Sequence, residues 1–115
     1  DGTCIRDYVH VQDLANAHAR VLGQLRSGSD SVSYNIGTGT GHSVLQVIEA
    51  VEKITGCSVR REFTPRRQGD PAKLVAASSK IRSELDWTPK FEELQRIIET
   101  TLTFKERHPD GFTEE

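Results

Sequence analysis

The chain has 115 residues, a formal net charge of −2 and a sequence pI near 6.1. That length carries one modest hydrophobic core without disulfides or metals as staples. The slight acidity removes any global electrostatic case for nucleic acid or an anionic membrane surface, so an anion site would have to be local. Cys4 and Cys57 lie far apart with no C-x-x-C, and the four histidines have no ligand spacing, which leaves neither a zinc site nor a redox pair. No run approaches the ~18 apolar residues of a membrane span. Asp1-Gly2-Thr3 lacks the charged and apolar regions of a signal peptide. A soluble, cytoplasmic protein is expected, and the lack of methionine suggests a piece of a longer one.

In chain order, Cys4 to Val11 carry β-branched and aromatic residues and read as a strand, with Arg6, Tyr8 and His10 on one face and Ile5, Asp7, Val9 and Val11 on the other. Leu14, Ala17, Val21, Leu22 and Leu25 recur at helical spacing after Asp13 as N-cap, and the run Ser27 to Ser31 ends that helix. Val32 to Ile36 reads as a short strand. Val44, Val47, Ile48, Val51 and Ile54 form the clearest apolar stripe, closed by Gly56 as C-cap.

Val59 to Phe63 reads as a third strand, and Pro65 to Pro71 as a loop too rich in proline, glycine and charge to continue it. Ser78 or Ser79 can cap a short helix ending near Asp86. Thr88-Pro89 places a capping hydroxyl before an N1 proline, predicting a helix through Phe91, Leu94, Ile98 and Leu102 to about Lys105, stopped by the tail His108 to Phe112. Alternating strands and helices indicate an α/β arrangement, although three short strands make a poor sheet alone.

Two stretches carry the chemistry of anion binding. The stretch Tyr34-Asn-Ile-Gly-Thr-Gly-Thr-Gly-His-Ser-Val44 runs from a strand pattern through glycines into a helix, the parts that cradle a pyrophosphate. Its glycines alternate rather than following G-x-G-x-x-G. Ser43 and Gln46 form a capping box that already satisfies the helix start, which favours a structural turn. The stretch Arg60 to Asp70 concentrates four arginines. Arg66 or Arg67 there is a candidate phosphate ligand through its planar fork, against a solvated, charge-paired loop as the bland alternative.

Arg6 lies within a predicted strand, where a charge needs a neutralising partner, either a carboxylate from elsewhere or a bound phosphate. Catalytic equipment is sparse. Tyr8 and Tyr34 have no lysine four residues later, and no serine or cysteine sits in a nucleophile motif.

Taken together, Gly2 to Ala15, Tyr34 to Gly37, Pro65-Arg-Arg-Gln-Gly-Asp-Pro71 and Leu85-Asp-Trp-Thr-Pro89 resemble the C-terminal part of the UDP-glucose 4-epimerases, a branch of the extended short-chain dehydrogenase/reductase family. Related sugar-nucleotide dehydratases and decarboxylases share the first of these, but the Pro-Arg-Arg-x-Gly-Asp loop favours the epimerases. The resemblance implies the C-terminal portion of a Rossmann-type fold. Residues 1–42 would be its last Rossmann strands and helix, and residues 43–115 mostly the substrate-binding lobe. The NAD-binding domain would lie outside the segment.

It further implies that Arg6 and Arg67 contact the UDP pyrophosphate, that Asp70 hydrogen-bonds ribose hydroxyls, that Tyr8 lies close to the nucleotide and that Leu74 lines the sugar pocket. A bulky Leu74 favours UDP-glucose and UDP-galactose over N-acetylated sugars. The implied reaction oxidises C4 of the hexose with NAD, turns the 4-keto sugar and re-reduces its other face. The family's Tyr-x-x-x-Lys and Gly-x-x-Gly-x-x-Gly motifs are not in this sequence, so the segment alone is expected to be inactive, with no catalytic, cofactor or metal residues of its own. The full-length protein would be a homodimer. The alternatives are a non-catalytic nucleotide-sugar binding module, a degenerate fragment, or a related decarboxylase or dehydratase.

Overall fold

The computed structural model describes residues 2–65 and 67–111. Three strands and four helices follow in the order β1 (Ile5–Asp7), α1 (Val11–Arg26), β2 (Gly41–Ser43), α2 (Val44–Thr55), β3 (Lys73–Leu74), α3 (Ser79–Leu85) and α4 (Leu94–Arg107). The sheet has the order β2-β1-β3. β1 pairs antiparallel with β2, Arg6 facing His42, and parallel with β3, Arg6 facing Leu74. The α/β class expected from the sequence holds.

α1 begins at Val11, earlier than Asp13 as N-cap would allow, because the His10 ring takes that role: its Nδ1 accepts the Gln12 backbone N–H at 3.0 Å. The first strand therefore stops at Asp7 rather than Val11, and the expected polar face of Arg6, Tyr8 and His10 does not extend to His10, which is buried. With Nδ1 accepting, the ring proton sits on Nε2, which donates to Thr100 Oγ1 at 2.9 Å. The same ring stacks on Phe91, centroids 4.0 Å apart, so one histidine ties the start of α1 to α4.

Asp13 is buried, and its carboxylate accepts the backbone N–H groups of Lys90 and Phe91, both at 2.9 Å. Those donations hold the chain after Pro89 outside a helix. α4 accordingly begins at Leu94, with Glu93 as N-cap, and not at the Thr88-Pro89 signal, and it runs to Arg107.

The core is small: Ala17, Ile81 and Trp87 are fully buried, with Val21, Tyr34, Ile36 and Leu85 packed against them. Trp87 donates its indole N–H to the Asp13 carbonyl at 3.1 Å, so its one polar atom is satisfied. α2 forms where its stripe predicts. The Ser43–Gln46 capping box is complete at one end and Gly56, at φ +69°, closes the other. It packs against α4. α3 ends at Asp86, in the left-handed conformation, as the sequence suggests, while Ser78 precedes it without a side-chain capping bond.

Two predicted strands do not form. From Ser31 to Ile36 the side chains alternate between exposed and half-buried, the period of a strand, but no ladder joins the segment to another among the described residues. Val59 to Phe63 is almost wholly exposed and irregular. The sheet uses β2 and β3 instead, in stretches too short to show a pattern in sequence.

Candidate functional site

The glycine-rich loop encloses a side chain of the chain itself. Asp7 reaches into it from the end of β1. Its Oδ1 accepts from the Thr38 N–H at 2.9 Å and the Thr38 hydroxyl at 2.7 Å. Its Oδ2 accepts from the Gly39 N–H at 3.0 Å and from the Ala76 N–H, just beyond β3, at 3.2 Å. Burial pushes this carboxyl up, and the bonds from Thr38, Gly39 and Ala76 together outweigh it and hold it below the usual carboxylate range.

Two of the three glycines, Gly37 and Gly41, are required by this packing. A Cβ at Gly37 would lie 2.4 Å from the Ala76 Cβ and 2.5 Å from the Asp7 Oδ2, and one at Gly41 would lie 2.3 Å from Ile5. The loop binds an anion, and the anion is Asp7. These residues do not fit a dinucleotide pyrophosphate, because the donors that would cradle it are already engaged.

The arginine-rich loop is open by contrast. Asp70 lies opposite Arg6, whose Nη2 donates to the Asp70 Oδ1 at 2.7 Å while Nη1 donates to the carbonyls of Ile5 and Pro71 at 2.8 and 3.0 Å. This answers the demand for a partner: Arg6 is neutralised by a carboxylate from 64 residues away. Arg67 sits 3.7 Å from the Asp70 Oδ2 and is 89% exposed. The turn between them is closed by the Asp70 N–H on the Arg67 carbonyl, with Gly69 at φ +83° in the third position, where a type II turn needs positive φ. Arg66 lies outside the described residues.

Arg6, Arg67 and Asp70 line one cleft of about 310 Å³, together with Phe63, Leu45 and Cys4. A second cleft, about 450 Å³, lies against the other end of the sheet and is lined by Arg6, Asp7, Asn35, Ile36, Leu74 and Ala76 among others. Of the five site residues expected from the sequence, three therefore converge. Leu74, 59% exposed, pairs with Arg6 in the sheet but lines the second cleft only. Tyr8, half-buried just past β1, lines neither.

The residue that sequence reasoning overlooked is Asp7, whose neighbour Arg6 drew the attention. A carboxylate next to a strand end and a glycine loop without its dinucleotide spacing were the available signals.

Two guanidiniums and a carboxylate thus line one cleft of a small α/β fold. The sequence model of the GDP-mannose 4,6 dehydratase family matches residues 1–101, and the chain belongs to that family. Within it the chain is similar to UDP-glucose 4-epimerases. It is 45% identical over 115 residues to the one from Halalkalibacterium halodurans, covering all of this chain and 34% of that protein.

A crystal structure of a UDP-glucose 4-epimerase superposes with a TM-score of 0.88 at 43% identity, over 99% of this chain and 35% of that one. The Bifidobacterium longum UDP-glucose 4-epimerase, solved in complex with NAD+ and UDP, gives 0.80 at 39% identity, over 97% and 33%. The match is to the C-terminal part of these structures. The chain thus spans about a third of the length of the curated relatives it matches. No helix among the described residues is long and apolar enough to cross a membrane.

Proposed function

We propose that this chain is the part of an NAD-dependent UDP-glucose/UDP-galactose 4-epimerase that grips the nucleotide. The observation that carries this is the convergence of Arg6, Arg67 and Asp70 on one cleft. Two guanidinium forks match the oxygens of a diphosphate, and a carboxylate accepts hydrogen bonds from a ribose diol. Arg67 is free to swing onto a phosphate. Arg6 is already oriented by its three bonds, so little freedom is lost when an anion arrives.

Anchoring UDP while leaving the hexose unheld is what a 4-epimerase requires, since the sugar must present both faces of C4. Tyr8 and Leu74 belong to the same reading as flanks of the site, Leu74 limiting the bulk of the sugar. The same reading assigns NAD and the residues that exchange hydride with it to other parts of the full-length enzyme, in keeping with the engagement of the Thr38 and Gly39 N–H groups by Asp7. Residues 1–42 then complete the Rossmann sheet and 43–115 form most of the substrate lobe. A homodimer of the full-length protein and UDP-galactose as the second substrate complete the proposal.

The test is a calorimetric titration of UDP into the wild type and Arg67→Ala, with circular dichroism confirming that both are folded. Saturable binding weakened at least about tenfold in the variant supports the reading, the loss of one charge-assisted bidentate contact. Equal binding, or none by a folded full-length protein, sinks it.

A further inference from the structure

We propose that Asp7 is a positioning residue for the diphosphate cleft, holding Arg6 opposite Asp70 by binding the glycine loop on one side of β1 and the chain beyond β3 on the other. The inference rests on the nucleotide-gripping role of Arg6, Arg67 and Asp70 and adds a residue that does not itself touch the ligand.

β3 is only two residues long, so its parallel ladder is a weak determinant of where β1 and the 70–76 segment lie relative to each other. Three further bonds tie that seam. At one end Arg6 Nη1 donates to the Pro71 carbonyl at 3.0 Å; in the middle the Ile5 N–H donates to the Ala72 carbonyl at 2.9 Å; at the other end the Ala76 N–H donates to Asp7 at 3.2 Å. Asp7 is in turn fixed by Thr38 and Gly39. That loop is itself held to α3, Arg82 donating to the Thr38 carbonyl at 3.3 Å.

A shift of β1 along this seam would move Arg6 relative to Asp70, and displacements of about 1 Å at a binding group can change rates or affinities by orders of magnitude. The chemistry of the four contacts is one-sided. Both Asp7 oxygens accept two bonds each, and every partner is a donor. Asp7→Asn therefore keeps the shape but must turn an NH2 group toward N–H donors whichever way the amide is flipped, toward the Thr38 N–H in one orientation and toward those of Gly39 and Ala76 in the other. No rotamer keeps all four bonds.

The experiment is a double-mutant cycle on UDP affinity, measured by calorimetry on the full-length protein for the wild type, Asp7→Asn, Arg6→Gln and the pair, below the melting temperature of each. If Asp7 acts through Arg6, Asp7→Asn weakens UDP about tenfold in the wild type and less than about twofold once Arg6 is replaced. Thr38→Val, which deletes one donor and leaves the carboxylate in place, gives a smaller loss with the same dependence on Arg6, and serves if Asp7→Asn does not fold. A merely structural Asp7 lowers the melting temperature without that dependence. Losses that add across the cycle, or unchanged UDP affinity in both Asp7→Asn and Thr38→Val, overturn the proposal while leaving the Arg67 test standing. Failure of the wild type to bind UDP removes the reading on which it rests, and the proposal with it.

Discussion

The loop at residues 37–41 and the loop at residues 60–70 both carry groups that bind anions, backbone N–H groups in one and guanidinium forks in the other. In the first, the donors of Thr38 and Gly39 are spent on Asp7, and the glycines at 37 and 41 bring the backbone too close to its neighbours for any side chain to fit. In the second, Arg67 is 89% exposed and Asp70 sits between two arginines on the rim of a cleft. A glycine loop holds whatever anion is tethered nearest, because an intramolecular carboxylate is present at high effective concentration. Guanidiniums on a solvated loop stay available to a ligand.

Removing the tethered anion should have the largest effect. Asp7→Ala leaves the donors of Thr38, Gly39 and Ala76 without their shared acceptor, and we expect a loss of about 3 kcal/mol in denaturant unfolding. Acid should act by the same route. The folded pKa of Asp7 is depressed, so its contribution is complete above the unfolded value near 3.8 and is lost as pH falls through the lower folded value. In Asp7→Asn this part of the acid limb should be missing from a stability–pH profile taken below pH ~4.

Gly37→Ala should cost about 2 kcal/mol, because its Cβ meets Ala76 and the Asp7 carboxylate and something must move. Gly69→Ala, in the open loop, meets nothing within 4 Å and is charged only for positive φ, about 1 kcal/mol. A ranking in which Gly69→Ala is the more damaging of the two would break the contrast between a packed loop and an open one. Arg67→Ala should leave stability within about 0.5 kcal/mol of wild type while weakening UDP binding at least about tenfold, as expected of an exposed residue whose partner is a ligand.

How much of this was legible in the sequence depended on the range of the interaction. α2 could be read residue by residue, since its stripe, its Ser43–Gln46 box and its Gly56 cap all act within a few residues. The arginine loop was legible only as a candidate, because residue type alone does not separate a phosphate ligand from a charge-paired surface loop. Asp13 misled the reading of α1: a capping residue by type, it is spent instead on Lys90 and Phe91, and the same bonds displaced the start of α4. Val32 to Ile36 kept its alternation but lacks a ladder, because a strand's pattern is local and its partner is not.

The sequence by itself determined the α/β class, the helix α2, the need of Arg6 for a neutralising partner and the character of the Arg60–Asp70 loop. Only the tertiary structure decided that the partner is Asp70, that Asp7 fills the glycine loop, that β2 and β3 flank β1, and that Leu74 faces a different cleft from Arg67. The first three of these join residues about 30 or more positions apart. Helical periods and caps are written along a few turns of chain, whereas ladders, ion pairs and clefts are settled by which distant segments pack together.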